Sequence, residues 1–127
     1  MSKHKVVHFE IPSGDFKKSK DFYGKVFGWG MKEWGDEYMM AMTTEVDKEQ
    51  TPTEPGGING GFYKRKSKDQ QPSFVVETDS IEETLTAVQA AGGKVTRQKE
   101  AIGEMGFMAE FIDPDGNEMS LWQNAKK

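Results

Sequence analysis

Val6-Val7-His8-Phe9-Glu10-Ile11, closed by Pro12, and Ser73-Phe74-Val75-Val76-Glu77, opened after Pro72, are the two stretches on which the fold turns. In the first, Val7, Phe9 and Ile11 share one face of a strand, and Val6, His8 and Glu10 share the other. In the second, Phe74 and Val76 share a face, while Ser73 and Val75 point the opposite way. Each stretch runs into a helix. Asp15 is placed as an N-cap, and Phe16, Ser19, Phe22, Tyr23, Val26 and Phe27 trace an apolar stripe that ends at Gly28. Ser80 with Glu83 reads as a capping box, and Ile81, Leu85, Val88 and Ala91 form a stripe stopped by Gly92-Gly93. A shift of 65 residues lays Phe9 on Phe74, Ile11 on Val76, Phe16 on Ile81 and Gly28 on Gly93. Repetition of this kind identifies an architecture better than any single element does.

The remaining segments complete each half. Met31–Trp34 and Tyr38–Thr43 read as strands around a Gly35-Asp36 turn. Residues 44–57 are polar and proline-bearing and read as a long mobile loop. Gly57-Ile58-Asn59-Gly60-Gly61-Phe62-Tyr63 is a strand whose glycines mark a close approach by a ligand or another backbone. Lys94–Lys99, Met105–Ile112 and Glu118–Gln123 are strands, the last two joined by the tight turn Asp113-Pro114-Asp115-Gly116. Gly24, inside the first helix, costs ~1 kcal/mol relative to alanine. Each half is therefore β-α-β-β-β, module 1 at about 5–65 and module 2 at about 72–124 of a single domain, residues 1–127.

Composition sets limits on function. The 127 residues are 35% hydrophobic and 30% charged, with a formal net charge of -4 and no cysteine. One core is affordable at that length. Disulfides and thiolate metal sites are excluded. The acidic balance argues against nucleic acid, which is bound through clustered Lys and Arg. The cluster Lys64-Arg65-Lys66 with Lys68 sits beside Asp69 and reads as a solvated turn. Lys17, Lys18, Lys20 and Lys25 fill the polar face of the first helix. No run approaches the length of a membrane span, and the sequence opens directly on a strand, so a cytoplasmic protein with no membrane partner is expected.

His8-Phe9-Glu10-Ile11-Pro12, Asp21-Phe22-Tyr23 and Val26-Phe27-Gly28-Trp29 in the first half, with Ala90-Ala91-Gly92-Gly93 and Asp113-Pro114-Asp115-Gly116-Asn117-Glu118 in the second, resemble the vicinal-oxygen-chelate superfamily of glyoxalase I, bleomycin-resistance proteins and extradiol dioxygenases. Gly56-Gly57-Ile58-Asn59-Gly60-Gly61-Phe62 is similar to its branch of predicted enzymes related to lactoylglutathione lyase. The resemblance implies an α+β fold in which two βαβββ modules form curved mixed sheets around a concave cavity, with the helices outside. It also implies a homodimer. In the metal-dependent members, the first and last strand of each module hold a divalent ion, and the positions matching those ligands are His8, Asn59, Ser73 and Ser120.

Strand alternation supplies an inward-facing set by a separate route. If the faces holding Phe9, Val76 and Leu121 pack against helices, then His8, Glu10, Ser73, Val75, Glu118, Ser120 and Trp122 turn to the other side. With Asn59 and Phe107 they form the expected ligand-binding cavity, and the methionines Met39, Met40, Met42, Met105 and Met108 offer an adaptable lining. His8 is the best candidate for a catalytic role. One imidazole, one amide and two hydroxyls are a poor donor set for a divalent metal. A fallback set of His8, Glu10 and Glu118 places same-strand neighbours roughly 7 Å apart. The plainer reading of each residue is structural: a hydrogen-bonded His8, small serines that leave room, Trp122 as core, and Asn59 shaping a bulge. A serine nucleophile has no Gly-x-Ser-x-Gly elbow to support it.

The sequence thus points to a small-molecule-binding, glyoxalase-like protein without the family metal site and without true glyoxalase I activity, its reaction and ligand unspecified. Two alternatives stand beside it. One is a metal-dependent lyase, isomerase or dioxygenase of the same superfamily, with a divalent cofactor. The other is a drug-sequestering resistance protein that binds without turnover.

Overall fold

Asp15 and Gly28 bracket the first helix as the sequence predicts. The computed structural model describes residues 3–126. Met1, Ser2 and Lys127, which the sequence reading included in the domain, lie outside the described residues. In chain order the elements are β1 (Val6–Ser13), α1 (Phe16–Phe27), β2 (Gly30–Trp34), β3 (Tyr38–Met42), β4 (Asn59–Lys64), β5 (Ser73–Glu77), α2 (Ile81–Ala90), β6 (Lys94–Ile102), β7 (Gly106–Ile112) and β8 (Glu118–Asn124). The class is α+β, a β-α-β-β-β succession run twice. None of the described helices is long and apolar enough to cross a membrane.

His8–Pro72 forms one compact unit, and the chain from Ser73 onward, with the segment before His8, forms a second. In the first unit the strands run in the order β2-β3-β4-β1. β1 and β4 are parallel, with His8 opposite Asn59 and Glu10 opposite Gly61, and the other pairs are antiparallel. Parallel neighbours need a long crossover, which α1, β2 and β3 supply. α1 covers one face of this sheet. Met39, Ala41 and Phe62 are buried there, with Phe9, Ile11, Phe16, Tyr23, Trp29 and Met31 packed around them. Burying a side chain of that size contributes about 1.5–3 kcal/mol.

The second unit repeats the arrangement in the order β5-β8-β7-β6, with β5 and β8 parallel. Ile81 and Leu85 of α2 pack on Ala109 and Leu121, and Val76, Val95, Phe107 and Phe111 surround them.

The repeat extends to polar detail. Ser13 and Thr78 are the buried polar residues among the described chain, at 3% and 5% exposure. Ser13 is the last residue of β1 and Thr78 follows the last residue of β5, and each pairs with a hydroxyl inside the next helix: Ser13 Oγ lies 2.6 Å from Ser19 Oγ, and Thr78 Oγ1 lies 2.7 Å from Thr84 Oγ1. Both also accept, at 3.3 Å, the backbone N–H of the N-cap residue, Asp15 or Ser80. All three positions are related by the 65-residue shift. The cap side chains then accept from Lys18 N and Glu83 N. The capping box expected of Ser80 and Glu83 is only half formed, because the Ser80 N–H goes to Thr78 rather than back to Glu83.

Residues 44–57 form a loop, as expected, within which Asp47 Oδ1 accepts from Glu49 N and Thr51 N and Val46 bridges Pro52. Two expectations are corrected. The α1 stripe is wider than the face it buries, so Phe22, Val26 and Phe27 are each more than half exposed. Phe74 is likewise exposed although Val76, on its face, packs.

Replacing Thr78 with valine keeps the shape but leaves Thr84 Oγ1 and Ser80 N short of a partner. A loss of about 1–3 kcal/mol in urea unfolding, with an unchanged m-value, is expected. Gly24→Ala should act in the opposite direction. The nearest atom to an added Cβ is Trp29 O at 3.7 Å, an ordinary contact, so helix propensity should raise stability by up to ~1 kcal/mol in the same measurement.

Candidate functional site

Alternation along β1 sends Phe9 and Ile11 to the helix side and leaves His8 and Glu10 on the other face of the first unit's sheet. Tyr38 reaches the same face from β3. β4 separates it from β1, and Tyr38 can cross because β4 carries Gly61 there: a Cβ on Gly61 would overlap the Tyr38 ring and hydroxyl. On the helix side Gly60 does the same for the Phe9 ring. The glycines of this strand mark close approach, as the sequence suggests, but by the protein's own aromatic rings.

The Tyr38 hydroxyl sits between the two β1 side chains. It is 2.8 Å from His8 Nε2 and donates to Glu10 Oε2 at 2.8 Å. His8 Nε2 and Glu10 Oε2 are themselves 3.9 Å apart. Burial pushes the His8 pKa down to about 4, so the imidazole is neutral at pH 7 and the 3.9 Å approach is not an ion pair. The Tyr38 hydroxyl is pushed far above its ordinary value, first by burial and then by the charge and hydrogen bond of Glu10. It stays protonated. Tyr38 was read from the sequence only as a strand residue; the signal that could have found it is the pair Gly60-Gly61, which requires something to lie on each face of β4.

Asn59 is beside His8 in register, but its carboxamide oxygen accepts from Thr43 N at 2.7 Å and Thr44 N at 2.9 Å. It closes the end of β3. In the second unit, Ser120 stands opposite Val75 rather than Ser73. Val75 is buried, Ser73 and Ser120 are partly exposed, and Glu118 is exposed. Trp122 is fixed through a chain of hydrogen bonds, Nε1 to Asn124 Oδ1 at 2.7 Å and Asn124 Nδ2 to Glu77 Oε1 at 2.8 Å. Its indole rests against Gly106, where an added Cβ would lie 2.6 Å from the ring. Phe107 is a correction. It packs with Leu121 and Ala109 on the α2 side, with Lys99 Nζ 4.4 Å from its ring centre. The register sets this: Ala109 pairs with Leu121, so odd-numbered β7 residues share the helix side, away from Ser120 and Trp122.

Residues 5–121 match the model of the Glyoxalase/Bleomycin resistance protein/Dioxygenase superfamily, and with that match the chain belongs to this superfamily. It is 30% identical to a probable lactoylglutathione lyase of Vibrio parahaemolyticus, over 98% of this chain and 94% of that protein. The identity to a probable lactoylglutathione lyase of Vibrio cholerae is 29%, with the same coverage. Among solved structures, a glyoxalase/bleomycin resistance protein/dioxygenase superfamily member from Vibrio splendidus aligns with a TM-score of 0.64 and 17% identity, over 96% of this chain and 100% of that one. Likeness at that identity carries the fold alone.

The residues at hand do not fit the divalent ion that the superfamily implies. Of the four matching positions, Asn59 has spent its oxygen on two backbone N–H groups, and the two serines are neutral and weak donors. No group of three or more His, Cys, Asp or Glu residues able to hold a metal ion occurs among the described residues.

The His8 shift has a consequence for stability. With a folded pKa of about 4 against 6.5 unfolded, the unfolded chain binds more protons between those values, so stability falls as pH drops from 6.5 to 4. The loss is at most about 3 kcal/mol. Urea midpoints across that range should show it, and His8→Gln should flatten the slope.

Proposed function

We propose that the chain binds a small organic molecule on the face carrying His8, Glu10 and Tyr38, without the divalent ion of its superfamily. One observation carries the reading: the imidazole and the carboxylate of β1 are joined through the Tyr38 hydroxyl, 2.8 Å from each. A donor pair meant for a cation would turn its lone pairs to a common point. Here Tyr38 occupies the place between them. The three side chains hold one another in place through these hydrogen bonds, as a binding site requires. The homodimer belongs to this proposal as well. The exposed Phe22, Val26 and Phe27 on α1 supply apolar surface for it.

A second reading has its own support in the names of the two Vibrio relatives: a metal-dependent lactoylglutathione lyase. The two part on one experiment. Purified protein is incubated with Ni²⁺, Zn²⁺, Mn²⁺ or Fe²⁺, freed of excess metal, analysed for metal content and assayed for lactoylglutathione lyase activity. The expected result is less than one metal in ten chains, no shift in melting temperature and no activity above the metal-free control. One bound metal per chain with activity would replace the first reading by the second.

A further inference from the structure

We propose that Tyr38 is a positioning residue that holds His8 as the Nε2–H tautomer, so that the binding face presents an unpaired Nδ1 acceptor to a small ligand bearing a hydroxyl or N–H donor. The inference rests on the metal-free reading of this face. It follows from counting protons. A phenolic hydroxyl has one, and Tyr38 gives it to Glu10 Oε2. The second contact of that hydroxyl, to His8 Nε2 at 2.8 Å, must then be one in which the hydroxyl oxygen accepts and Nε2 donates. A neutral imidazole carries one proton, so Nδ1 is left with its lone pair.

Nδ1 has no hydrogen-bond partner among the described residues, and none of their buried side-chain nitrogen or oxygen atoms is unpartnered. Nδ1 is therefore open to solvent. The side chain as a whole is 28% exposed. What surrounds it is acceptor-rich. Glu10 supplies a carboxylate, the Tyr38 proton is committed to that carboxylate, and the Asn59 oxygen is turned away to β3. His8 Nδ1 thus offers a lone pair and no proton. A ligand that brings a donor pairs with that lone pair; an anion such as benzoate, which carries no donor at pH 7.5, has no proton to give it.

The test reads the tautomer directly. Protein labelled with ¹⁵N at histidine and treated with chelator gives long-range ¹H–¹⁵N correlations that distinguish the protonated ring nitrogen from the bare one, with His4→Gln used to assign the second ring. At pH 7.5 the expected state of His8 is neutral with the proton on Nε2. In Glu10→Ala the Tyr38 proton is released and turns to Nε2, so the His8 proton should move to Nδ1. In Tyr38→Phe the lock on the ring is lost, so the Nδ1 and Nε2 shifts should move toward each other, as in a mixture of the two tautomers. A merely structural tyrosine would move neither signal. Phenol, added as a donor-bearing probe, should shift the Nδ1 resonance of the parent protein, and benzoate at the same concentration should not.

An Nδ1–H tautomer in the parent protein would overturn the proposal. An unchanged tautomer in folded Glu10→Ala would do the same, as would equal responses to phenol and benzoate. If either variant fails to fold, the parent tautomer and the other variant still decide. Because the protein is read free of metal, these outcomes are independent of the metal-uptake result. Metal binding in that assay can defeat the metal-free reading while the tautomer stands.

Discussion

Two hydroxyl pairs tie strand to helix in this chain, Ser13 with Ser19 and Thr78 with Thr84, and the placement of everything else follows from them. Ser13 and Thr78 are buried where a strand gives way to a helix, so their hydroxyls must be satisfied within the protein, and the half-buried Ser19 and Thr84 do so. The strand-end hydroxyl also takes the N–H of the cap residue, leaving the cap side chain to serve the helix interior. These hydrogen bonds are directional and add an orientation to the contact that apolar packing of the helix on the sheet already makes. With α1 fixed over one face, the alternation of β1 assigns His8 and Glu10 to the other.

Much of this was readable from the sequence because it is local. The limits of α1 are written in Asp15 and Gly28, the latter at φ 73°, where glycine is unstrained. The faces of β1 are written in Val7-His8-Phe9-Glu10-Ile11. What escaped the sequence depends on lateral neighbours. Tyr38 joins the site from 28 residues beyond Glu10, across an intervening strand, and nothing in the order of residues says which tyrosine that is. Phe107 was misplaced for a related reason. β7 is apolar on both faces, Phe107 and Ala109 on one and Met108 on the other, so alternation alone could not say which face meets α2; the pairing of Ala109 with Leu121 does. The turn around Asp47 escaped because composition reports polarity, whereas its order comes from one carboxylate accepting two backbone N–H groups.

The superfamily match covers residues 5–121, and the fold agrees throughout. Architecture is carried by apolar periodicity and turn residues, which many side chains satisfy; a metal centre depends on a few donors that cannot be exchanged. In this chain the β1 imidazole persists at the matching position, but its Nε2 is engaged by a phenol. The fold gives a position for function and leaves the chemistry to side chains that the family pattern does not dictate.

Gly61 and Tyr38 also constrain how such a protein can change over generations. The ring occupies the volume that any side chain at position 61 would need, so the two positions are not free to vary in either order. A lineage that exchanged the glycine first would pass through a form with a clash at the centre of its sheet. One that first trimmed the tyrosine would lose the bridge between His8 and Glu10 but keep a packed sheet, and only then could a new side chain enter at 61. The two changes are therefore fixed in order, with the tyrosine last to arrive and first to leave.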